Sequence, residues 1–184
     1  LMERLYSSGI GGTAGRQYDL QTFSFGAYYL DDIYALSGEK MTGIMTDILI
    51  DCLTSPVTEN GVFSEKFVEL EKKTVIENIE TAINDKRSYA IEREMKTICK
   101  GEPASVCSYG TVEKAKLITP DSAYKAYRRM LETMPCEIIC TGCSDFDGVA
   151  EKFAAAFEKI GRHDIENTTI ALSPVKTQTE EVTE

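Results

Sequence analysis

The hydrophobic period of this chain switches along its length, and the switch limits the folds open to it. Over residues 18–29 side chains alternate at period two, with Leu20, Thr22, Ser24 and Gly26 against Gln21, Phe23, Phe25 and Ala27. Residues 10–16 read as a companion strand, weakened by Gly11-Gly12, which also permits close approach of another backbone. Ahead of them, Leu1 to Tyr6 reads as the end of a helix. From Ser37 the apolar residues recur instead at three and four: Met41, Ile44, Met45, Ile48, Leu49, Cys52 and Leu53 form one helical stripe. Met41 and Met45 read as core filler. A long helix opens at Ser64, its inner face traced by Phe67, Leu70, Thr74, Val75, Asn78, Ile79, Ala82 and Ile83, and breaks near Asn84-Asp85-Lys86. Another covers roughly 88–99 and stops at Gly101 and Pro103. Thr119-Pro120-Asp121 caps a helix carrying Ala123, Tyr124, Tyr127 and Leu131. Pro135 to Thr141 reads as a strand, and 145–160 as a helix with Val149, Phe153, Ala156, Phe157 and Ile160 on one face. Strands followed by helices, then one strand and one helix, fit an α+β fold: an antiparallel sheet with helices packed on one face.

A chain of 184 residues suffices for one domain with a real core. Its formal net charge of −10 disfavours nucleic acid and anionic membrane surfaces, which recruit clustered Lys and Arg. No apolar stretch approaches the ~20 residues of a bilayer span, and no signal peptide is evident; the expected location is cytoplasmic. The first residue is Leu1 rather than Met, so the chain reads as a fragment. From Gly161 the composition shifts to Thr and Glu, with one apolar patch at 170–172, which marks 1–162 as the ordered part and 163–184 as a linker. No glycine-rich phosphate loop is present.

The six cysteines read as reduced thiols. Cys136, Cys140 and Cys143 have the C-x3-C-x2-C spacing of a radical S-adenosylmethionine cluster motif. Two strand residues four apart lie about 13 Å from each other, so a strand there holds Cys136 and Cys140 too far apart for one cluster. The plainer reading is small apolar packing residues. The lone His163 lies in the polar tail and reads as a solvated surface residue.

The ordered pieces together resemble the insulinase/pitrilysin-type metallopeptidases, which include the mitochondrial processing peptidase. The resemblance covers roughly residues 3–160 and matches the second part of the N-terminal peptidase domain. It rests on the hairpin after Leu5-Tyr6, on the helix ending at Leu49-Ile-Asp-Cys-Leu53-Thr-Ser-Pro56, on Phe67-Val-Glu-Leu-Glu71-Lys and on Ser108-Tyr109-Gly110-Thr111. Ile118-Thr119-Pro120-Asp121 and Cys140-Thr-Gly142-Cys-Ser-Asp145-Phe146 complete it. Within the family, Asn84 to Ala90 and Cys99 to Pro103 resemble a bacterial member without the zinc motif, linked to modification of elongation factor P. The resemblance implies a metallopeptidase-like sandwich of the LuxS/processing-peptidase type, present as a partial domain. It also implies that 163–184 leads toward a second domain.

Active members use an H-x-x-E-H helix to hold zinc and activate water, with a third ligand, a Glu, seven residues after another helical Glu. Seven residues are two turns, so both face one side. By the resemblance the first of those positions is Glu71 and the ligand position is Asn78. Neutral Asn is a poor zinc ligand beside carboxylate, imidazole and thiolate. Glu77 reaches the slot only with a shift of helix register, and Glu80 is two residues off. One histidine cannot supply the H-x-x-E-H pair. Taken without the resemblance, Glu71 and Asn78 are an ordinary solvated helix surface. The resemblance therefore implies a non-catalytic subunit with no catalytic residue, cofactor or metal in this chain. It would pair with a catalytic relative as a heterodimer, or with itself, and bind an extended peptide along an edge strand at Gly11, Gly12 and Thr13. Active relatives favour Asn-Ala where Gly11-Gly12 stands. The alternatives are an active zinc endopeptidase whose motif lies upstream, and a redox or metal enzyme built on Cys136, Cys140 and Cys143.

Overall fold

Residues 5–17 and 20–166 are described in the computed structural model of the chain. Strands β1 (Gly9–Gln17) and β2 (Leu20–Tyr28) pair as a hairpin, with two residues between them. A second, very small hairpin joins β3 (Thr58–Glu59) to β4 (Val62–Phe63). Among the described residues there are six α-helices: α1 (Met41–Thr54), α2 (Glu65–Thr81), α3 (Lys86–Ile98), α4 (Val112–Lys116), α5 (Pro120–Thr133) and α6 (Phe146–Ile160); all but the short α4 follow the order read from the sequence. The class is α+β, with the described strands in two separate two-stranded sheets.

The chain divides into two compact units. One takes in the chain up to Ala14, Phe23–Gly61 and Tyr124–Asn167. Its centre is α1 packed on α6. Cys143, Val149 and Phe153 are buried there, with Leu49, Ile50, Cys140 and Phe157 packed around them. Met41 and Met45 are fully buried, as core filler should be. Burying a side chain of this size is worth roughly 1.5–3 kcal/mol. Lys152 ties the two helices at their surface, donating to Gly43 O at 3.1 Å and pairing with Asp47 at 2.6 Å. The Tyr127 hydroxyl donates to Leu53 O at 2.8 Å and fixes α5 to the end of α1.

The other unit takes in Gly15–Thr22 and Val62–Ala123. Here α2 packs on α4, and α3 on the 3₁₀ turn at Pro103–Ser105. Small residues allow the close approach: Ala115 and Ala104 are the buried apolar residues of this unit among those described.

The structure corrects the sequence reading at three places. Helix α1 begins at Met41, not Ser37. Gly38 has φ +76°, outside the helical region, and the Glu39 carboxylate holds a turn by accepting from Ser37 N–H and the Tyr6 hydroxyl, each at 3.0 Å. The stripe of α1 is also rotated. Thr42 and Thr46 are buried while Ile44 and Cys52 are exposed, and the Thr46 hydroxyl is satisfied by donating to Thr42 O at 2.7 Å. Second, Pro135 to Thr141 is not a strand. A strand exists by its ladder, and among the described residues none pairs with it; Ile138 and Ile139 stand exposed. Third, the inner face of α2 is formed by Val68, Lys72, Val75, Ile76 and Ile79, continued by Ala82 in the 3₁₀ turn that follows. Phe67, Leu70, Thr74, Asn78 and Ile83 are exposed. The helix carries two apolar strips, and α4 covers only one.

Two truncations measure that asymmetry. Met45→Ala should destabilise the chain by about 2–5 kcal/mol in urea unfolding, and Phe67→Ala by about 1 kcal/mol or less. Equal losses would show that Phe67 is buried after all.

Candidate functional site

Helix α2 places both residues of the candidate pair. Its N-cap, Ser64, is extended (φ −60°, ψ 129°), and Ser64 O accepts from Phe67 N–H and Val68 N–H to start the helix. Glu71 and Asn78 follow two turns apart and share one exposed face with Leu70 and Thr74. Glu77 lies a step round the helix and pairs loosely with Lys73 at 3.8 Å. Glu80 lines an open groove of about 390 Å³, with Glu69, Lys72 and Ile76 of α2 and Lys116 of α4. Glu71 and Asn78 lie outside that groove. The groove mixes both charge signs, and Lys72 is already engaged by Glu69 at 2.7 Å.

Among the described residues no group of three or more His, Cys, Asp or Glu side chains is arranged to hold a metal ion. His163 is exposed. Its N–H donates to Glu132 O at 3.1 Å, and Nδ1 lies 3.1 Å from Gly161 O. Glu166 N–H donates to Thr133 O at 2.8 Å, and its carboxylate pairs with Arg129 at 2.7 Å, so 163–166 is tied to the end of α5. The remainder of the expected linker, including 170–172, lies outside the described residues.

Gly11, Gly12 and Thr13 are exposed in the middle of β1, whose one partner among the described residues is β2. The glycines of this strand have a role that the alternation rule did not reveal. A Cβ on Gly9 would sit 2.3 Å from the Tyr28 ring, and one on Gly12 2.9 Å from the Phe25 ring. Each lets an aromatic side chain of β2 lie across the strand, a pairing that compensates for glycine's weak strand propensity. Gly11 has open space around its Cβ position.

Of the three candidate cysteines the structure brings two together. Cys136 is exposed on the irregular stretch after α5, while Cys140 Sγ and Cys143 Sγ lie 3.2 Å apart. Burial, with Cys143 adding to it, pushes the Cys140 thiol up to about 11. Tyr29 is likewise raised, first by burial, and lies within electrostatic reach of Cys140, Cys143 and Asp32. The buried Thr42 side chain hydrogen-bonds Tyr29, which offsets part of that rise, while Thr42 N–H donates to Asp32 Oδ1 at 2.8 Å. The C-x-x-C spacing was visible in the sequence. The strand read over Pro135–Thr141 spoke only to the separation of Cys136 from Cys140; the approach of Cys140 to Cys143 comes from the turn at Gly142.

On α3, Asp85 caps the helix and accepts from Ser88 N–H at 3.1 Å and its hydroxyl at 2.7 Å, which holds its carboxyl below the usual range. Glu92 is lowered chiefly by its hydrogen bond from Lys96, at 2.7 Å.

No protein-family model matches the chain. A curated relative is the "Probable inactive metalloprotease YmfF" of Bacillus subtilis (strain 168), 20% identical over 148 residues, which are 80% of this chain and 35% of that protein. The chain is thus distantly related to a metallopeptidase-like protein. A crystal structure of a conserved protein from Enterococcus faecalis V583 shares the fold, with TM-score 0.64 and 22% identity over 72% of this chain and 31% of that one. The chain spans about a third of the length of either protein. Among the described residues no helix is long and apolar enough to cross a membrane.

The lowered carboxyls set an acid dependence. A carboxylate whose folded pKa is depressed contributes stability present above its unfolded value, about 4.3 for Glu, and lost as pH falls through the folded value. Glu92→Gln should therefore flatten the loss of stability below about pH 4.3, read as the denaturant midpoint against pH. An unchanged slope would remove Glu92 from the acid response.

Proposed function

We propose that this chain is part of a non-catalytic insulinase/pitrilysin-type peptidase-fold protein that acts as a structural or peptide-binding subunit beside a catalytic relative. The observation that carries the reading is the Glu71–Asn78 pair: two turns apart on one exposed helix face, with a neutral amide where a zinc-binding carboxylate would belong. The distant relation to a protein named as a probable inactive metalloprotease supports it. With a single histidine, these residues alone do not supply the two-histidine motif.

On this reading the larger antiparallel sandwich is completed by other parts of a longer protein. The contribution of the present chain is shape and a strand edge. The N–H and C=O groups along the outer side of β1, at Gly11, Gly12 and Thr13, would pair with an extended peptide by adding a strand. The partner would be a catalytic family member or a second copy, and the setting the cytoplasm. Zinc enters only if the longer protein supplies its own ligands.

The deciding experiment is elemental analysis of the full-length gene product, with cleavage of a quenched peptide library before and after chelator. We expect no stoichiometric zinc and no chelator-sensitive cleavage, with Asn78→Glu alone leaving both unchanged. Stoichiometric zinc together with cleavage abolished by chelator would establish an active endopeptidase instead.

A further inference from the structure

The Cys140–Cys143 pair has no part in the peptidase reading. Its two sulfurs lie 3.2 Å apart, inside ordinary van der Waals separation and a short movement from bonding distance. Gly142, at φ +70°, turns the backbone between them. Their surroundings differ. Cys143 is buried against Val149 and Phe153, whereas Cys140 is only half-buried at the edge of the same cluster. A pair of this kind has one sulfur that a small molecule can reach and a second waiting behind it. Two thiolates fall short of the four donors of a structural zinc site, and no third ligand joins them among the described residues.

We propose that Cys140 and Cys143 form a redox-active dithiol that closes reversibly to an intramolecular disulfide on reaction with a low-molecular-weight disulfide. Cys140, as thiolate, attacks one sulfur of the small disulfide. The small S–S bond breaks, and one small thiolate leaves and takes up a proton. Cys143, deprotonated in turn, attacks Cys140 Sγ; the mixed disulfide breaks and the second small thiol leaves. Two protein thiols are oxidised by two electrons, and one small disulfide is reduced to two thiols. The protonated resting state of Cys140 makes the first attack slow at neutral pH, because the thiolate is the nucleophile.

The test incubates the intact chain with oxidised glutathione, quenches with acid, alkylates and maps thiols by mass spectrometry. The peptide holding Cys140 and Cys143 should lose two hydrogens and escape alkylation, and dithiothreitol should reverse both changes. Cys143→Ser should accumulate a stable glutathione adduct on Cys140. A pair that stays alkylated while Cys136 or Cys52 reacts, or an adduct on Cys140 that never closes in the unmutated chain, overturns the proposal. If Cys143→Ser does not fold, phenylarsine oxide, which bridges paired thiols, decides. One equivalent should bind the unmutated chain and none the Cys140→Ser variant; undiminished binding to that variant overturns the proposal equally.

Discussion

The contact of α1 with α6 organises the unit that contains it. Met41 and Met45 are fully buried, and Val149 and Phe153 nearly so, whereas most other apolar side chains of the described residues keep substantial exposure. Burial of apolar area is the main favourable term in folding, so removing this contact would leave little else to hold the unit. Its neighbours are arranged around it: Asp32 meets the first turn of α1, Tyr127 meets the last, and Lys152 bridges to Asp47 at the rim. The dithiol is packed against the same cluster, which places a chemically changeable pair beside the packing that matters most.

The longer helices were legible in the sequence because most carry a stripe at three and four and are punctuated by recognisable caps; α4, five residues long, is too short to show a stripe and was not read. Phe153, Phe157, Tyr127 and Leu131 fall on the faces that the periodicity assigns. The Asp145 carboxylate accepts from Gly148 N–H at 2.9 Å, and Thr119 and Ser122 exchange hydrogen bonds at the start of α5. What failed was everything that depends on a distant partner. Pro135–Thr141 has strand composition, but a strand is a relation between two segments. On α2 the periodicity located apolar positions without saying which of two strips is covered, since that depends on where α4 lies.

The candidate site was legible to a similar degree. The spacing of Glu71 and Asn78 follows from helix geometry alone, so the sequence could place them on one face. Their exposure was one of two readings, the charges pointing to a solvated surface while Phe67, Leu70 and the apolar stripe beside Asn78 looked like core. The Cys140–Cys143 approach was hidden for another reason. It arises from a turn at Gly142 and from packing against α6, neither of which leaves a periodic trace.

The glycine–aromatic hairpin has a consequence for how this chain behaves in the company of its own copies. Natural edge strands guard themselves with lysine, proline, a bulge or a covering loop. The centre of β1, Gly11-Gly12-Thr13-Ala14, carries neither charge nor proline, and its side chains are too small to screen the backbone. A strand so bare is a template for any strand that meets it. An uncovered β1 would draw chains together into ribbons, and solubility would then be set by how well that edge is occupied rather than by the acidic surface elsewhere.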